Sequence, residues 1–263
     1  MSANRDAPGI GLIGCGDISA MHLGAYKRLD LPVRALCNRT VSKAHERAAE
    51  FFPKAHVCSD HTELLALPEV AVVDVTTHPT QRVELVADAL RAGKHVLSQK
   101  PFVLDLQQGE DLIALAEDHG VLLAVNQNGR WAPHLAGIRK SVRAGQIGLL
   151  QSVEVSIDWD HSWTVGTAFD HTPNLVLFDF GMHWFDLVAC LLDGREVWEV
   201  SATTGRTPTQ ASPQPMLAEV TMSGPDLNIH LRFNGDCTSN PHDRTEVVGS
   251  EGTLVAEGVD LKT

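Results

Sequence analysis

The chain has 263 residues, 43% of them hydrophobic and 21% charged, a globular composition sized for one large domain or two ordinary ones. Its net charge of −12 argues against nucleic acid as a partner, and no apolar run reaches the length of a membrane span. The five cysteines are odd in number and no pair has metal-ligand spacing, so a reduced, cytoplasmic protein without a metal is expected.

Residues 2–8 read as a loose tail without the apolar core of a signal peptide. Ile10–Ile13 reads as a strand, and Asp17–Arg28 as the helix that follows Gly14-Cys15-Gly16-Asp17-Ile18-Ser19. Glycines at this spacing allow a tight turn and let backbone N–H groups approach a pyrophosphate at the helix N-terminus. The usual pattern is G-x-G-x-x-G/A, and here Ser19 takes the third small position. The second strand ends at Asn38, where an acidic residue would hold the 2′-hydroxyl of NAD. Asn38-Arg39-Thr40 stands there instead, and a guanidinium suits a 2′-phosphate, so NADP is preferred over NAD.

A helix over 41–52, a short strand over 55–58 and a helical turn over 62–67 follow. Residues 71–76 are mostly β-branched, as in a strand buried on both faces. Thr80 is expected to cap the next helix, whose apolar Val83, Val86, Ala87 and Leu90 follow i, i+3, i+4, i+7 toward Gly93. A strand over 95–98 comes next. Asp105 and Gln108 form a capping-box pattern for a helix ending near Gly120, and 121–126 is a further strand. Alternating strands and helices imply a parallel sheet covered on both faces, with ligands bound beyond the C-terminal strand ends. Asn38, residues 76–79, Gln99-Lys100-Pro101 and residues 126–130 all follow strand ends, so one crevice is expected to gather them. The candidate cofactor contacts are Gly11, Gly14, Gly16, Asp17, Ile18, Asn38, Arg39, Thr76, Pro79, Gln99 and Asn126. Lys100, between a strand end and a proline, is the first candidate for chemistry.

The pattern changes after Asn126. A helix over 133–144 leads into period-2 alternation at Val153, Val155, Ile157 and Trp159, and again at Leu227, Ile229, Leu231 and Phe233. That period marks half-exposed, antiparallel strands. The expected division is therefore 1–126, α/β, and 127–263, α+β. Residues 207–215 read as a flexible loop. His45, His56, His119 and His242 read as surface residues without a role.

Residues 178–194 are mostly apolar and of helix length, and Asp179, His183 and Asp186 fall at i, i+4, i+7 along one helical face. Two functional readings stay open: a general acid/base His183 positioned by Asp179, or a metal site, which lacks a clear third ligand. A helix whose buried polar groups are simply satisfied is the third.

Five blocks, in order, resemble the Gfo/Idh/MocA family of NAD(P)-dependent oxidoreductases over nearly the whole chain. These are Gly11 to Ser19 with His22, Ala92-Gly93-Lys94-His95-Val96 to Gln99-Lys100-Pro101, Arg130 with Pro133, Asp179-x-Gly181-x-His183-x-x-Asp186, and Val248 to Leu254. The resemblance implies a Rossmann doubly wound sheet, then an α+β domain with an open, mostly antiparallel sheet that often mediates homo-oligomers. It implies hydride transfer between the nicotinamide of NADP or NAD and a carbinol carbon of a sugar, polyol or related molecule. On the matching positions, His183 exchanges the hydroxyl proton, Lys100 stabilises the charge on the same oxygen, and Asp179 orients the substrate. Lys100 and His183 are expected to meet across an interdomain cleft. Arg130, Trp159, His161 and Trp163 are candidate substrate contacts, because aromatic faces suit sugar rings. Three departures stand out. Gln99 replaces the usual Glu beside the lysine, 174–178 replace the usual glycines before Asp179, and the chain ends soon after the G-x-x-G-T strand, where part of the final sheet is expected to be missing. The rival reading is a non-catalytic dinucleotide or sugar binder of the same fold.

Overall fold

The computed structural model describes residues 7–258 and 260–262, so most of the expected N-terminal tail lies outside the described residues. The chain divides between Asn126 and Gln127 into two compact units.

The first unit runs β1 (Ile10–Ile13), α1 (Asp17–Arg28), β2 (Val33–Cys37), α2 (Val41–Phe51), β3 (His56–Cys58), α3 (His61–Ala66), β4 (Val72–Val75), α4 (Pro79–Arg91), β5 (His95–Gln99), α5 (Leu106–Asp118) and β6 (Leu123–Asn126). Its six strands are all parallel in the order β3-β2-β1-β4-β5-β6. This is the doubly wound order, whose strand sequence reverses beside β1 and leaves a ligand crevice there. Val73, Val75, Leu12 and Leu36 are fully buried, which is why these strands read as continuous apolar runs. Of the two expected caps, Thr80 is displaced and Asp105 holds. α4 begins at Pro79 after His78 rather than after Thr80, because proline at the first helical position needs no N–H partner. Asp105 caps α5 through the amide of Gln107, at 2.9 Å.

The second unit runs α6 (Pro133–Arg143), β7 (Leu150–Asp158), α7 (Met182–Leu192), β8 (Glu199–Gly205), β9 (Leu217–Ser223), β10 (Asn228–Asn234), β11 (His242–Gly249), β12 (Thr253–Glu257) and β13 (Asp260–Lys262). The sheet order is β13-β12-β11-β7-β10-β9-β8. One pair departs from the expected antiparallel pattern: β10 runs parallel to β7, and every other pairing is antiparallel. Val153, Val155, Ile157, Ile229, Leu231 and Phe233 face α6 and α7, and bury against Leu135, Ile138, Trp184, Leu187, Val188 and Leu191. The opposite face carries the polar half of each strand.

The expected helix over 178–194 is two elements. Val176–Phe180 is a π turn, closed by the Gly181 amide on the Val176 carbonyl at 2.7 Å, and α7 starts only at Met182. The extra residue in that turn takes Asp179 off the regular helical face that His183 and Asp186 share. Residues 207–215 are a loop, as expected, and it is tethered by hydrogen bonds. The Gln210 amide donates to the carbonyls of Ser212 and Gln214, Arg206 donates to those of Ser212 and Pro213, and Thr207 and Thr209 donate to Asp236.

Candidate functional site

In the first unit, a cavity of about 1090 Å³ opens along the C-terminal strand ends and is lined by Gly14, Gly16, Asn38, Arg39, Thr77 and Pro79 among others. The sequence builds its head from glycine for two different reasons. Gly14 has φ of +103°, and a Cβ there would sit 2.9 Å from the Thr77 amide nitrogen. Gly16 has an ordinary φ of −77°, and a Cβ there would meet nothing within 4 Å. Backbone strain explains Gly14, whereas open space in front of Gly16 is what a closely approaching pyrophosphate needs. The residues therefore fit a dinucleotide, with Gly14 and Gly16 at the head of the cavity and Arg39 among the residues that line it.

Several expected contacts help to hold the cleft together, Asn38 while also lining it. Asn38 accepts the Cys15 amide at 2.9 Å and donates to the Thr40 carbonyl, so its side chain braces the glycine loop. The Thr76 hydroxyl donates to the Gly14 carbonyl at 2.5 Å from a buried position. Gly11 lies inside β1, where a Cβ would crowd Leu64 at 2.7 Å. Asp17 and Ile18 open α1 on the exposed side. Burial pushes the Cys15 and Cys37 thiols beside the loop up to about 11, which keeps them protonated.

Gln99 and Asn126 belong to a buried network. Asp74, with 0% exposure, accepts from His22 Nδ1 and from the Tyr26 hydroxyl, both at 2.7 Å. The Asn126 amide donates to His22 Nε2 and to Gln99 Oε1, both at 3.0 Å. Asp74 is an acceptor, so His22 carries its proton on Nδ1 and its Nε2 is free to accept from Asn126. The network ties α1, β4, β5 and β6 together immediately before Lys100. Arg82 does the same from α4, a role not visible in the sequence. At 2% exposure, it donates to the carbonyls of Thr77, Gln99 and Pro101 and so grips both neighbours of Lys100. An arginine beside Val83 on an amphipathic helix reads as a surface residue.

In the second unit, Asp179 is buried in the π turn and His183 lies on the first turn of α7. Gly129 packs directly on the His183 ring: a Cβ there would lie 2.5 Å from Nδ1 and 3.1 Å from the histidine Cβ. Gly129 is not among the positive-φ glycines, so space alone requires it. Arg130 has a partner that the sequence did not reveal. Its guanidinium pairs through two nitrogens with Asp186 on α7 and so braces that helix. That hydrogen bond strengthens the charged form of Arg130, and burial opposes it. Gln127 donates to the Met182 carbonyl at 2.9 Å, a third strut onto the same turn. His161 is buried and stacks on Phe180 with ring centroids 3.7 Å apart, Trp159 meets both His161 and Trp184 edge-on, and Trp163 is 57% exposed above Phe169 and Phe180. Of the three aromatic candidates, Trp163 offers the largest open surface.

These two units define a dinucleotide-binding Rossmann protein with an α+β second half. Comparison with known proteins agrees. Residues 9–127 match the profile of an oxidoreductase family with an NAD-binding Rossmann fold, and residues 135–255 match the Gfo/Idh/MocA C-terminal domain. The chain belongs to the Gfo/Idh/MocA oxidoreductase family. D-apiose dehydrogenase of Paraburkholderia graminis is 31% identical over 198 residues, covering 74% of this chain and 52% of the relative. The NADP(+) scyllo-inositol 2-dehydrogenase of Bacillus subtilis is 28% identical over 182 residues, covering 67% and 49%. The WlbA dehydrogenase of Bordetella pertussis, solved with NADH and UDP-GlcNAcA, shares the fold with a TM-score of 0.83 at 21% identity, covering 95% and 79%. The chain spans about half the length of the curated relatives it matches first. Among the described residues no helix is long and apolar enough to cross a membrane.

Proposed function

We propose that this chain is an NADP-preferring oxidoreductase acting on a carbinol carbon of a sugar, polyol or related small molecule. The observation that carries the reading is the open space before Gly16 at the head of the strand-end cleft, in a chain of this family. When bound, the nicotinamide supplies the hydride acceptor or donor. His183 takes the hydroxyl proton on oxidation and returns it on reduction, while Lys100 hydrogen-bonds the same oxygen and Asp179 orients the substrate. Arg39 lines the cleft and selects the 2′-phosphate of NADP. Trp163 offers an aromatic face to a sugar ring. A cytoplasmic setting fits five free thiols. Self-assembly as a dimer or tetramer through the second unit's sheet fits its polar open face and its edge strand β8, where Val200 is exposed.

The test is a panel of polyols and sugars followed by nicotinamide absorbance. His183→Ala and Lys100→Ala should each lower turnover by about 10² while dinucleotide affinity stays intact. Arg39→Ala should weaken NADP by about ten-fold to a hundred-fold and NAD much less. Normal turnover in the His183→Ala, Lys100→Ala double variant refutes the catalytic assignment. The second reading, a non-catalytic binder, draws on Gln99, whose side chain is engaged with Asn126. It predicts dinucleotide binding with no turnover on any member of the panel.

A further inference from the structure

Outside the cleft, one cluster brings three different metal-ligating groups together. His56 and Cys58 stand two residues apart on β3, so both side chains project from the same face of the strand. Glu63 comes back toward them from the first turn of α3. Its position is fixed from two sides: Asp60 caps the helix through the Thr62 amide at 2.7 Å, and Glu63 Oε2 accepts the Ser59 amide at 3.2 Å. Glu63 Oε1 lies 3.0 Å from His56 Nε2. The Cys58 sulfur, an imidazole nitrogen of His56 and a carboxylate oxygen of Glu63 all lie within 4.8 Å of one another.

The burial is graded. Cys58 is fully buried, whereas the side chains of His56 and Glu63 are half exposed. A simple surface ion pair needs only the outer two groups. The sulfur beneath them supplies the inner ligand of a three-sided cup whose fourth side opens to solvent. Metal–ligand lengths of about 2.0–2.3 Å place neighbouring ligand atoms about 3.3–3.8 Å apart in a tetrahedral site. Half-exposed His56 and Glu63 can close the remaining gap by small rotations about their own bonds, with the buried thiol fixed. A set of one nitrogen, one sulfur and one oxygen suits a borderline-soft divalent cation and suits calcium or magnesium poorly.

We propose that His56, Cys58 and Glu63 form a binding site for a zinc-class divalent cation, with water as the fourth ligand. Coordination displaces the thiol proton to solvent and leaves the metal bound to thiolate, imidazole and carboxylate. The site joins the edge strand β3 to α3 on either side of Ser59, Asp60 and His61, which line the cofactor cleft. A bound cation therefore fixes one wall of that cleft. The cysteine spacing gave no sign of it, because only one of the three ligands is a cysteine.

The experiment is a titration of the purified, metal-stripped full chain with cobalt(II). One equivalent is expected to bind, with a thiolate-to-cobalt charge-transfer absorption that zinc(II) removes by competition. Cys58→Ser should abolish the charge-transfer absorption. Removing groups that merely support a metal ligand costs about 10–100-fold in affinity, so loss of a direct ligand in His56→Ala or Glu63→Gln should cost at least about ten-fold. Those two positions are half exposed, so the variants test the site even where Cys58→Ser folds poorly. Zinc should raise the Tm of the wild type and leave that of the His56→Ala, Glu63→Gln double variant unmoved. Absence of saturable cobalt binding, or a charge-transfer absorption and affinity unchanged in the double variant, overturns the proposal.

Discussion

Gly129→Ala tests the placement of His183 with the smallest possible change. The substituted Cβ would lie 2.5 Å from His183 Nδ1, 2.8 Å from Cγ and 3.1 Å from the histidine Cβ. Ordinary van der Waals contact begins near 3.4 Å, so the ring must retreat by about 0.9 Å, taken as the difference between 3.4 and 2.5 Å. Its own Cβ is crowded as well, so rotation of the ring alone does not clear the contact. α7 cannot easily follow, since Asp186 is clamped by Arg130 and the Met182 carbonyl by Gln127. Overpacking of this kind costs about 1–3 kcal/mol of stability, a modest loss. A misplacement of about 1 Å at a reacting group lowers rate by about 10². The expected outcome is a folded protein with a Tm a few degrees lower, unchanged dinucleotide affinity and turnover down by about 10². The assays are calorimetry, cofactor titration and the nicotinamide absorbance of the active substrate. Wild-type turnover in Gly129→Ala would refute the reasoning, because it would show that the position of this imidazole does not matter.

Gly16→Val should leave the unfolding free energy within about 0.5 kcal/mol of wild type, since the side chain points into open space, yet weaken dinucleotide binding by at least about ten-fold; equal affinity would remove Gly16 from the phosphate site. Asp74→Ala leaves the neutral donors of His22 and Tyr26 without their common acceptor and, at about 1–3 kcal/mol for each, should destabilise the first unit by about 2–6 kcal/mol in urea unfolding; a loss under 1 kcal/mol would argue against the network. Burial raises Asp243 from 3.8 to about 6, with His242 opposing, so the stability its neutral form contributes is complete below pH 3.8 and lost as pH rises through 6. Asp243→Asn should therefore raise the Tm at neutral pH, with the gain shrinking as pH falls toward 4; a constant difference across that range would contradict the assignment.

The strands and helices of the first unit were legible because each carries one period and one stop signal. Val72, Val73 and Val75 announce a doubly buried strand, and Gly93 and Gly120 end their helices with positive φ. The cleft was legible from Gly14, because a tight turn admits few residues, and from Gly16, because a closely approaching pyrophosphate leaves no room for a side chain. What stayed hidden depends on partners distant in sequence. Arg82 is an unremarkable helical arginine until three carbonyls surround it, and the Arg130 ion pair with Asp186 reaches across 56 residues. Gly129 carries no backbone signature, so its meaning exists only once the His183 ring is beside it. The π turn was hidden in a different way. Val176 to Phe180 has ordinary helical composition, and the insertion shows only in the hydrogen-bond ladder.

That turn makes the position of Asp179 a matter of chain length as much as of side-chain identity. If one residue were removed from 176–180, the segment could close as ordinary α-helix continuous with α7. Everything upstream would then swing by about 100° around the axis and slide by about 1.5 Å toward His183. Phe180 would leave its stack on His161 at the same time, because both addresses are counted from the same extra residue. The segment is thus tuned like a spacer: the number of its residues, and not only their identity, sets where the carboxylate sits.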